Sequence, residues 1–309
     1  DQMSLRLTIL GCHSATPRSM AHPSAQYLEI NGEHLLIDCA EGTQMQLRKF
    51  GVKFSRIKHV FISHLHGDHF YGLIGLISTF SLLNRQNELH VYGPAGLKEI
   101  IQLQLKLSKS WIDYPLHFHE LNSDKSELIL DSEKIEVRTV PLRHRIYTNG
   151  FLFREKPAPR KLNMEVISKH TEIDICDYQN LKDGKDFTDL HGTVLANAEL
   201  TFDPPSPLSY AYCSDTTYSE AVAKMIQNVD LLYHESTFLE QHADLAETTR
   251  HSTAVQAAKI ASMAGVKKLI LGHFSSRYKA VNLFLQEAQK HFADCELCEA
   301  GKVFAVDNQ

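Results

Sequence analysis

Hydrophobic and polar positions alternate with a two-residue period in short runs near the N-terminus: Leu5 to Leu10, Ala25 to Ile30 and His34 to Asp38. Such runs predict strands, and the Asn31-Gly32 pair between the last two predicts a two-residue hairpin turn. A further apolar strand is expected from Arg56 to Ile62, followed by the polar run Ser63-His64-Leu65-His66-Gly67-Asp68-His69 and a helix over Phe70 to Leu83. Leu89 to Tyr92 predicts the next strand, and Ala95 to Leu107 a helix. Glu127 to Leu130, Lys134 to Val140 and Gly150 to Arg154 again have strand character. After a charged stretch with little periodicity, strands are expected at Leu208 to Ser214, Leu231 to His234 and Lys268 to Leu271. Helices are expected at Ser219 to Gln227, Thr253 to Ala264 and Val281 to Phe292, with Ser252 as the cap and Gly265 as the stop of the second. β-rich and helix-interspersed stretches in both halves predict an α+β fold of two mixed sheets packed face to face beneath outer helices.

The non-periodic stretch, Lys156 to Asn197, opens with Pro157 and Pro159 and contains Asp183-Gly184 among polar neighbours. It is expected to be an insertion within one domain spanning residues 3–309, with Asp1 and Gln2 ahead of Met3 given no role. The chain's 43% hydrophobic content can fill a full core. The longest apolar stretch, Leu73 to Leu83, is interrupted by Ser78, Thr79 and Ser81 and is far short of the ~20 residues that cross a bilayer. A cytoplasmic protein without membrane contact is the expectation. Six cysteines sit mostly in apolar contexts, as reduced buried thiols do, and the lone Cys295/Cys298 pair lacks the second ligand pair of a zinc site. A net charge of −5 leaves polyanion binding to a local basic patch.

The chemistry concentrates after the Arg56 to Ile62 run. Three imidazoles and a carboxylate fall within six residues of a strand-to-helix junction, and Gly67 permits a tight path. Four such ligands in one loop exceed what one catalytic metal with an open position takes from protein, so two adjacent ions fit better. Further ligands must come from the ends of later strands. His144, Asp215 and His273 each follow a predicted strand.

The successive phrases Leu35 to Leu47, Ser63 to Leu76, His144 to Phe151, Ser214 to Ser219, His234 to Phe238, His251 to Ala261 and Leu271 to Tyr278 resemble, in order, the motifs of ribonuclease Z. This is the tRNA 3′-processing endonuclease family, short form, of the metallo-β-lactamase superfamily. The resemblance implies a four-layer αββα fold and a zinc-dependent endoribonuclease that cuts the 3′ trailer from precursor tRNA, leaving a 3′-hydroxyl and a 5′-phosphate. It implies two Zn2+ per subunit, with Mn2+ as the ion the same donors also serve. His64, His66 and His144 would hold one ion, Asp68, His69 and His273 the other, and Asp215 would bridge them. Asp68 would also orient the attacking nucleophile, His251 would be the general acid, and Glu235 would orient an imidazole, while His234 is either a participant or structural. A homodimer acting on precursor tRNA, not DNA, is implied.

Two segments depart from the family pattern. Pro17-Arg18-Ser19-Met20-Ala21-His22 stands where the family has a PxKxRN loop tied to the tRNA 3′ end. The insertion takes the place of the family's tRNA-binding arm, and Leu181 to Lys185 is similar to its basic tip. Acidic Glu172 to Tyr178 replaces the glycine-proline pair. Arg143, Arg145, Arg250 and Arg277 are candidate phosphate contacts. The alternatives are a phosphodiesterase of the same superfamily acting on small diesters or cyclic nucleotides, and a catalytically silent nucleic-acid-binding scaffold.

Overall fold

The computed structural model describes residues 4–308, so Asp1 to Met3 and Gln309, at the ends of the expected domain, lie outside the described residues. The chain divides into two compact units, the first made of residues up to Glu155 and from Leu208 to Asp307, the second of Lys156–Pro207.

Two seven-stranded sheets make up the first unit. One runs, in spatial order, Val303–Asp307, Ser4–Gly11, Ala25–Ile30, Glu33–Cys39, His59–Phe61, Leu89–Pro94 and Leu116–Leu121. The other runs Cys295–Leu297, Lys268–Gly272, Leu231–Glu235, Ser209–Cys213, Asn149–Glu155, Ile135–Pro141 and Leu128–Asp131. The alternation read from the sequence fills the space between them: Leu5, Leu7, Leu28, Leu35, Ile37 and Phe61 of the first sheet form one core with Val137, Phe151, Phe153, Tyr210, Tyr212 and Tyr233 of the second. The residues between these alternates face outwards and pack under helices. Leu36, Val60 and Val91 meet Leu47, Leu73, Leu76, Ile77 and Leu97 on one side, and Ala211, Leu232 and Leu269 meet Val222, Ala257, Ala258, Ala261 and Phe284 on the other. The result is an αββα sandwich, as expected.

Local signals set most boundaries. Asn31 and Gly32 turn the hairpin with φ of 48° and 77°, the left-handed pair such a turn requires. The helix expected over Phe70 to Leu83 is broken into Gly67–Phe70 and Leu73–Leu82. At the break Gly72 lies so close to the backbone of Ala40 that a Cβ would come 2.0 Å from its carbonyl oxygen. The Ala254–Ala264 helix is capped by Thr253, not Ser252: Thr253 and Gln256 exchange side-chain and backbone hydrogen bonds in a capping box, and Gly265 ends the helix at φ 64°. Ser252 instead donates to the carbonyl of Thr216 at 2.7 Å. Among the described residues no helix is long and apolar enough to cross a membrane.

The second unit has its own small core of Ile167, Ile173, Leu181, Phe187 and Leu200. Its short strands Lys161–Leu162 and Thr201–Phe202 pair with each other, as do Phe187–Thr188 and Val194–Leu195. In the first unit the chain leaves and re-enters at neighbouring points, for Glu155 N donates to Leu208 O at 2.9 Å. Replacing residues 157–206 by a short turn is therefore expected to leave the sandwich folded, because no backbone hydrogen bond of the two large sheets is lost. Circular dichroism should retain a single cooperative melt, shifted by no more than about 4 °C, the effect of roughly 1 kcal/mol in a domain of this size. Loss of the cooperative melt would place the segment in the sandwich's core.

Candidate metal centre

Strand ends deliver the site. His64, His66, Asp68 and His69 follow His59–Phe61, Asp215 follows Ser209–Cys213, and His273 follows Lys268–Gly272. His144 stands in the loop between Ile135–Pro141 and Asn149–Glu155. Two groups of donors result, His64/His66/His144/Asp215 and Asp68/His69/His273/Asp215, each with its ligand atoms within 4.8 Å of one another. Asp215 belongs to both. Its Oδ2 lies 3.3 Å from His64 Nε2, 3.4 Å from His69 Nε2 and 3.7 Å from His144 Nε2, while its Oδ1 lies 3.2 Å from His273 Nε2. Asp68 Oδ2 is 3.4 Å from both His69 Nε2 and His273 Nε2.

These separations test whether metal ions fit. Four donors at about 2.0–2.1 Å around a tetrahedral zinc stand roughly 3.3 Å apart, the spacing found here. The buried atoms His64 Nε2, His69 Nε2 and Asp215 Oδ1 make no hydrogen bond. Ion-pair distances without hydrogen-bond geometry, around buried nitrogen and carboxylate donors, are what a site shaped for cations leaves between its ligands. The donor set fits.

Each imidazole is held by its other nitrogen. His144 Nδ1 donates to the carbonyl of Arg250 at 2.8 Å, and His69 Nδ1 to Asp38 Oδ2 at 2.7 Å. Ser63 Oγ gives its single proton to Asp38 Oδ2 at 2.8 Å, so it accepts from His64 Nδ1 at 2.9 Å. Likewise Thr237 Oγ1 donates to Glu235 Oε2 and accepts from His273 Nδ1 at 2.9 Å. The four Nε2 lone pairs are thereby directed to the centre. His66 is the exception and presents Nδ1, 3.3 Å from His144 Nε2.

Protonation follows from burial and charge. Burial, and then the neighbouring imidazole His64, lowers His66 to about 4, and burial lowers His144 to about 4 against the pull of Asp215. Burial also lowers His64. All three are neutral at pH 7, the state that binds a metal. Burial opposes the charge on Asp215, but the charges of His273 and His69 outweigh it and hold the carboxyl well below its usual range. His69 is raised despite burial because Asp215, Asp38 and Asp68 surround it, and the same negative charge favours a bound cation.

Beside this cluster His251 Nδ1 donates to Glu235 Oε1 at 2.7 Å, and its ring stacks on His273 with centroids 5.3 Å apart. Burial lowers the His251 pKa, yet the charge and hydrogen bond of Glu235 outweigh it and raise it to about 9. Glu235 is fully buried, and the backbone N–H groups of Thr216 and Thr237 also bond to it. A cavity of about 400 Å³ opens over His66, Asp68, Arg145, Asp215, His251 and His273. A second, of about 1100 Å³, borders His144 and is lined by Arg143, Arg145 and Arg250. Arg277 is exposed and lines neither cavity. Buried His234 donates from Nδ1 to the Glu235 carbonyl and belongs to neither donor group. The guanidinium of Arg18, in the divergent Pro17 to His22 segment, is taken up by the carbonyls of Ser276 and Tyr278.

Sequence patterns gave no role to Asp38, Ser63 or Thr237. The one available signal for Asp38 was a carboxylate closing an apolar strand, where a buried charge must have partners. Tyr212 supplies another, its hydroxyl donating to Asp38 Oδ2 at 2.6 Å.

A family model described as anti-Pycsar protein Apyc1 matches residues 5–156. The chain is 47% identical to ribonuclease Z of Cytophaga hutchinsonii, over 99% of this chain and 98% of that protein. It is 42% identical to ribonuclease Z of Bacteroides fragilis, over 95% and 96% respectively. Among solved structures, the short form of human tRNase Z matches with a TM-score of 0.70 at 28% identity, covering 97% of this chain and 98% of that one. The metallo-β-lactamase fold protein YhfI of Bacillus subtilis matches with a TM-score of 0.68 at 17% identity, covering 99% and 100%, a likeness of fold alone.

Asp38 offers a test of the centre that touches no donor group. Asp38→Asn keeps the size and tolerates the local φ of 55°, but removes the charge behind His69 and weakens the Ser63 link to His64. Metal affinity is expected to fall by about 10–100-fold, as it does when an outer partner of a ligand is lost. Chelator competition measures it, and unchanged affinity would mean that Asp38 serves packing alone.

Proposed function

The chain belongs to the ribonuclease Z family and is an endoribonuclease, and on that footing we propose that it removes the 3′ trailer from precursor tRNA with two zinc ions, leaving a 3′-hydroxyl on the tRNA and a 5′-phosphate on the trailer. One observation carries the proposal: two donor groups share Asp215, and His66, Asp68, Asp215 and His273 from them open with His251 onto a single cavity. His64, His66 and His144 would hold one ion, and Asp68, His69 and His273 the other, with Asp215 between them. When bound, the ions supply Lewis-acid activation of water and neutralise charge on the phosphodiester.

The remaining work falls to side chains. Asp68, which lines the cavity, would orient the attacking water as well as bind. Arg145 lines both cavities and offers a charge to the phosphate. As the bond from phosphorus to the ribose 3′ oxygen breaks, that oxygen needs a proton. Glu235 occupies Nδ1 of His251 and raises its pKa to about 9, which favours the proton on Nε2 that this role requires. After the transfer, the Nδ1–H bond to Glu235 still fixes the ring. We extend the proposal to a cytoplasmic homodimer in which the second unit contacts tRNA. That unit carries nine acidic against six basic side chains, so Lys182 and Lys185 at its glycine-containing turn are the groups to bear phosphate contacts.

Incubation with a precursor tRNA, with both product ends mapped, tests the substrate beside bis(p-nitrophenyl) phosphate as a small diester. Cleavage of the small diester with no cut in tRNA would favour a phosphodiesterase of small substrates.

Asp215→Ala is expected to lose most of the bound metal and nearly all hydrolysis of both substrates, because it removes the one carboxylate common to both groups. Elemental analysis decides it. Two tightly held ions with near-normal turnover would end the bridging assignment.

His251→Ala should keep both ions. General acid catalysis contributes about 10²–10⁴-fold where the leaving oxygen is a poor anion, so precursor tRNA should be cut slower by that order. The nitrophenyl diester, whose leaving group departs unaided, should lose far less. Single-turnover assays keep product release out of the comparison. An equal loss on both diesters, at unchanged metal content, would make His251 a phosphate-positioning group.

A further inference from the structure

A second set of imidazoles stands on the first sheet, assembled by strand register. His59 pairs with His90 and His90 with His117 across three parallel neighbours, so the three side chains share one row. Their rings stack with centroids 5.2 and 4.8 Å apart. Two residues along, His119 shares that face, and its Nε2 lies 2.8 Å from His90 Nδ1. With Nδ1 so engaged, His90 turns Nε2 to Glu88, 3.4 Å from Oε2. His117 Nε2 is 3.8 Å from the same oxygen. Lys58 takes the other oxygen, Oε1, at 3.3 Å, which leaves Oε2 facing the two rings.

We propose that Glu88, His90 and His117 form a separate binding site for a borderline divalent transition-metal ion, with zinc as the probe. Their three donor atoms lie within 4.8 Å of one another. Donors around a tetrahedral zinc stand about 3.3 Å apart, so the Glu88–His90 spacing is already in place and the Glu88–His117 spacing needs a small rotation of a half-exposed ring. His119 serves His90 as Asp38 serves His69, fixing the ring through the nitrogen that does not bind. The Glu88 and His117 side chains are 42% and 48% exposed, so the ion exchanges with solvent and water completes its coordination. None of the three residues belongs to the groups around Asp215.

Such an ion has a structural consequence. Leu116–Leu121 is the edge strand of its sheet, and an ion joining His117 to Glu88 and His90 ties that edge to its inner neighbour. Exposed edges are where strands fray or pair wrongly, and a ligand that binds only the folded state stabilises it.

The test uses full-length, metal-free protein titrated with Zn2+ by calorimetry, beside Glu88→Gln and His117→Asn, both near-isosteric changes at exposed positions. Wild type is expected to bind one equivalent more than either variant, and its melting temperature to rise again as that equivalent binds. Neither variant shows the second rise, and diester hydrolysis is unchanged in both. Equal stoichiometry in three proteins with the same circular dichroism overturns the site. Loss of hydrolysis together with the extra equivalent also overturns it, since the three residues would then act through the main centre. Failure of the Asp215 centre would show instead as fewer equivalents in all three proteins, with the difference between them intact.

Discussion

Two buried carboxylates, Asp38 and Glu235, set the terms for everything around the centre. Neither can be ionised away from water without donors, and each has them: Asp38 takes Ser63, His69 and Tyr212, and Glu235 takes Thr216, Thr237 and His251. The two are built alike. Each bonds one imidazole directly and a second through a hydroxyl whose only proton the carboxylate has claimed, Ser63 for His64 and Thr237 for His273. Four rings are thereby committed to a tautomer and an orientation before any ion arrives. The negative charge at the centre in turn favours protons or metal ions there. An Asp38 that reaches Tyr212 also makes the packing of the two sheets and the alignment of the ligands one condition, because Asp38 closes a strand of the first sheet and Tyr212 lies in the second.

Backbone geometry carries the cost of this convergence. Asp38 and His273 both hold left-handed φ, 55° and 62°, a conformation uncommon for side-chain-bearing residues. Before His273, Gly272 leaves room for Tyr233, where a Cβ would approach the ring at 2.6 Å. His273 N is then fixed by the carbonyl of Cys12, which ties the second sheet's strand end to the loop leaving the first strand. Asn31, Asn84, Lys109 and Asn228 adopt the same region in turns, whereas Asp38 and His273 adopt it at the centre itself.

The sequence was most legible where chemistry and periodicity coincide. His64 to His69 crowd too many donors into one turn to be structural, and Asp215 and His273 are exposed as candidates by the apolar strands that precede them. The resemblance to a family supplied His251 and Glu235, which spacing alone would leave as a residue near a helix start and an acid in an apolar strand. Ser63 and Thr237 were not legible, because a hydroxyl acquires its role only from which carboxylate takes its proton. The break at Tyr71 and Gly72 has no signal in the sequence because the apolar spacing runs through it, and the approach of Ala40 makes a glycine necessary there. The row His59, His90 and His117 gives no signal in one dimension: each histidine lies in a separate short strand-like run, and register alone brings the three together.

Charge poses the last constraint. A chain with net charge −5 repels a polyanion on average, so an RNA phosphodiester must be drawn in by groups placed near the reaction. Arg143, Arg145 and Arg250 line the cavity next to His144, and Arg145 reaches the neighbouring one over Asp215 and His251. Arg250 also ties this basic wall to the centre, since its carbonyl accepts from His144 Nδ1 and its guanidinium donates to the His144 carbonyl at 3.1 Å. The cavity's basic wall and the His144 imidazole are thus joined through one residue, itself held in left-handed conformation at the end of Ala243–Thr249. An RNA backbone laid along that wall would meet the centre in a direction set by the protein, and selectivity would arise from geometry at the cut more than from overall attraction.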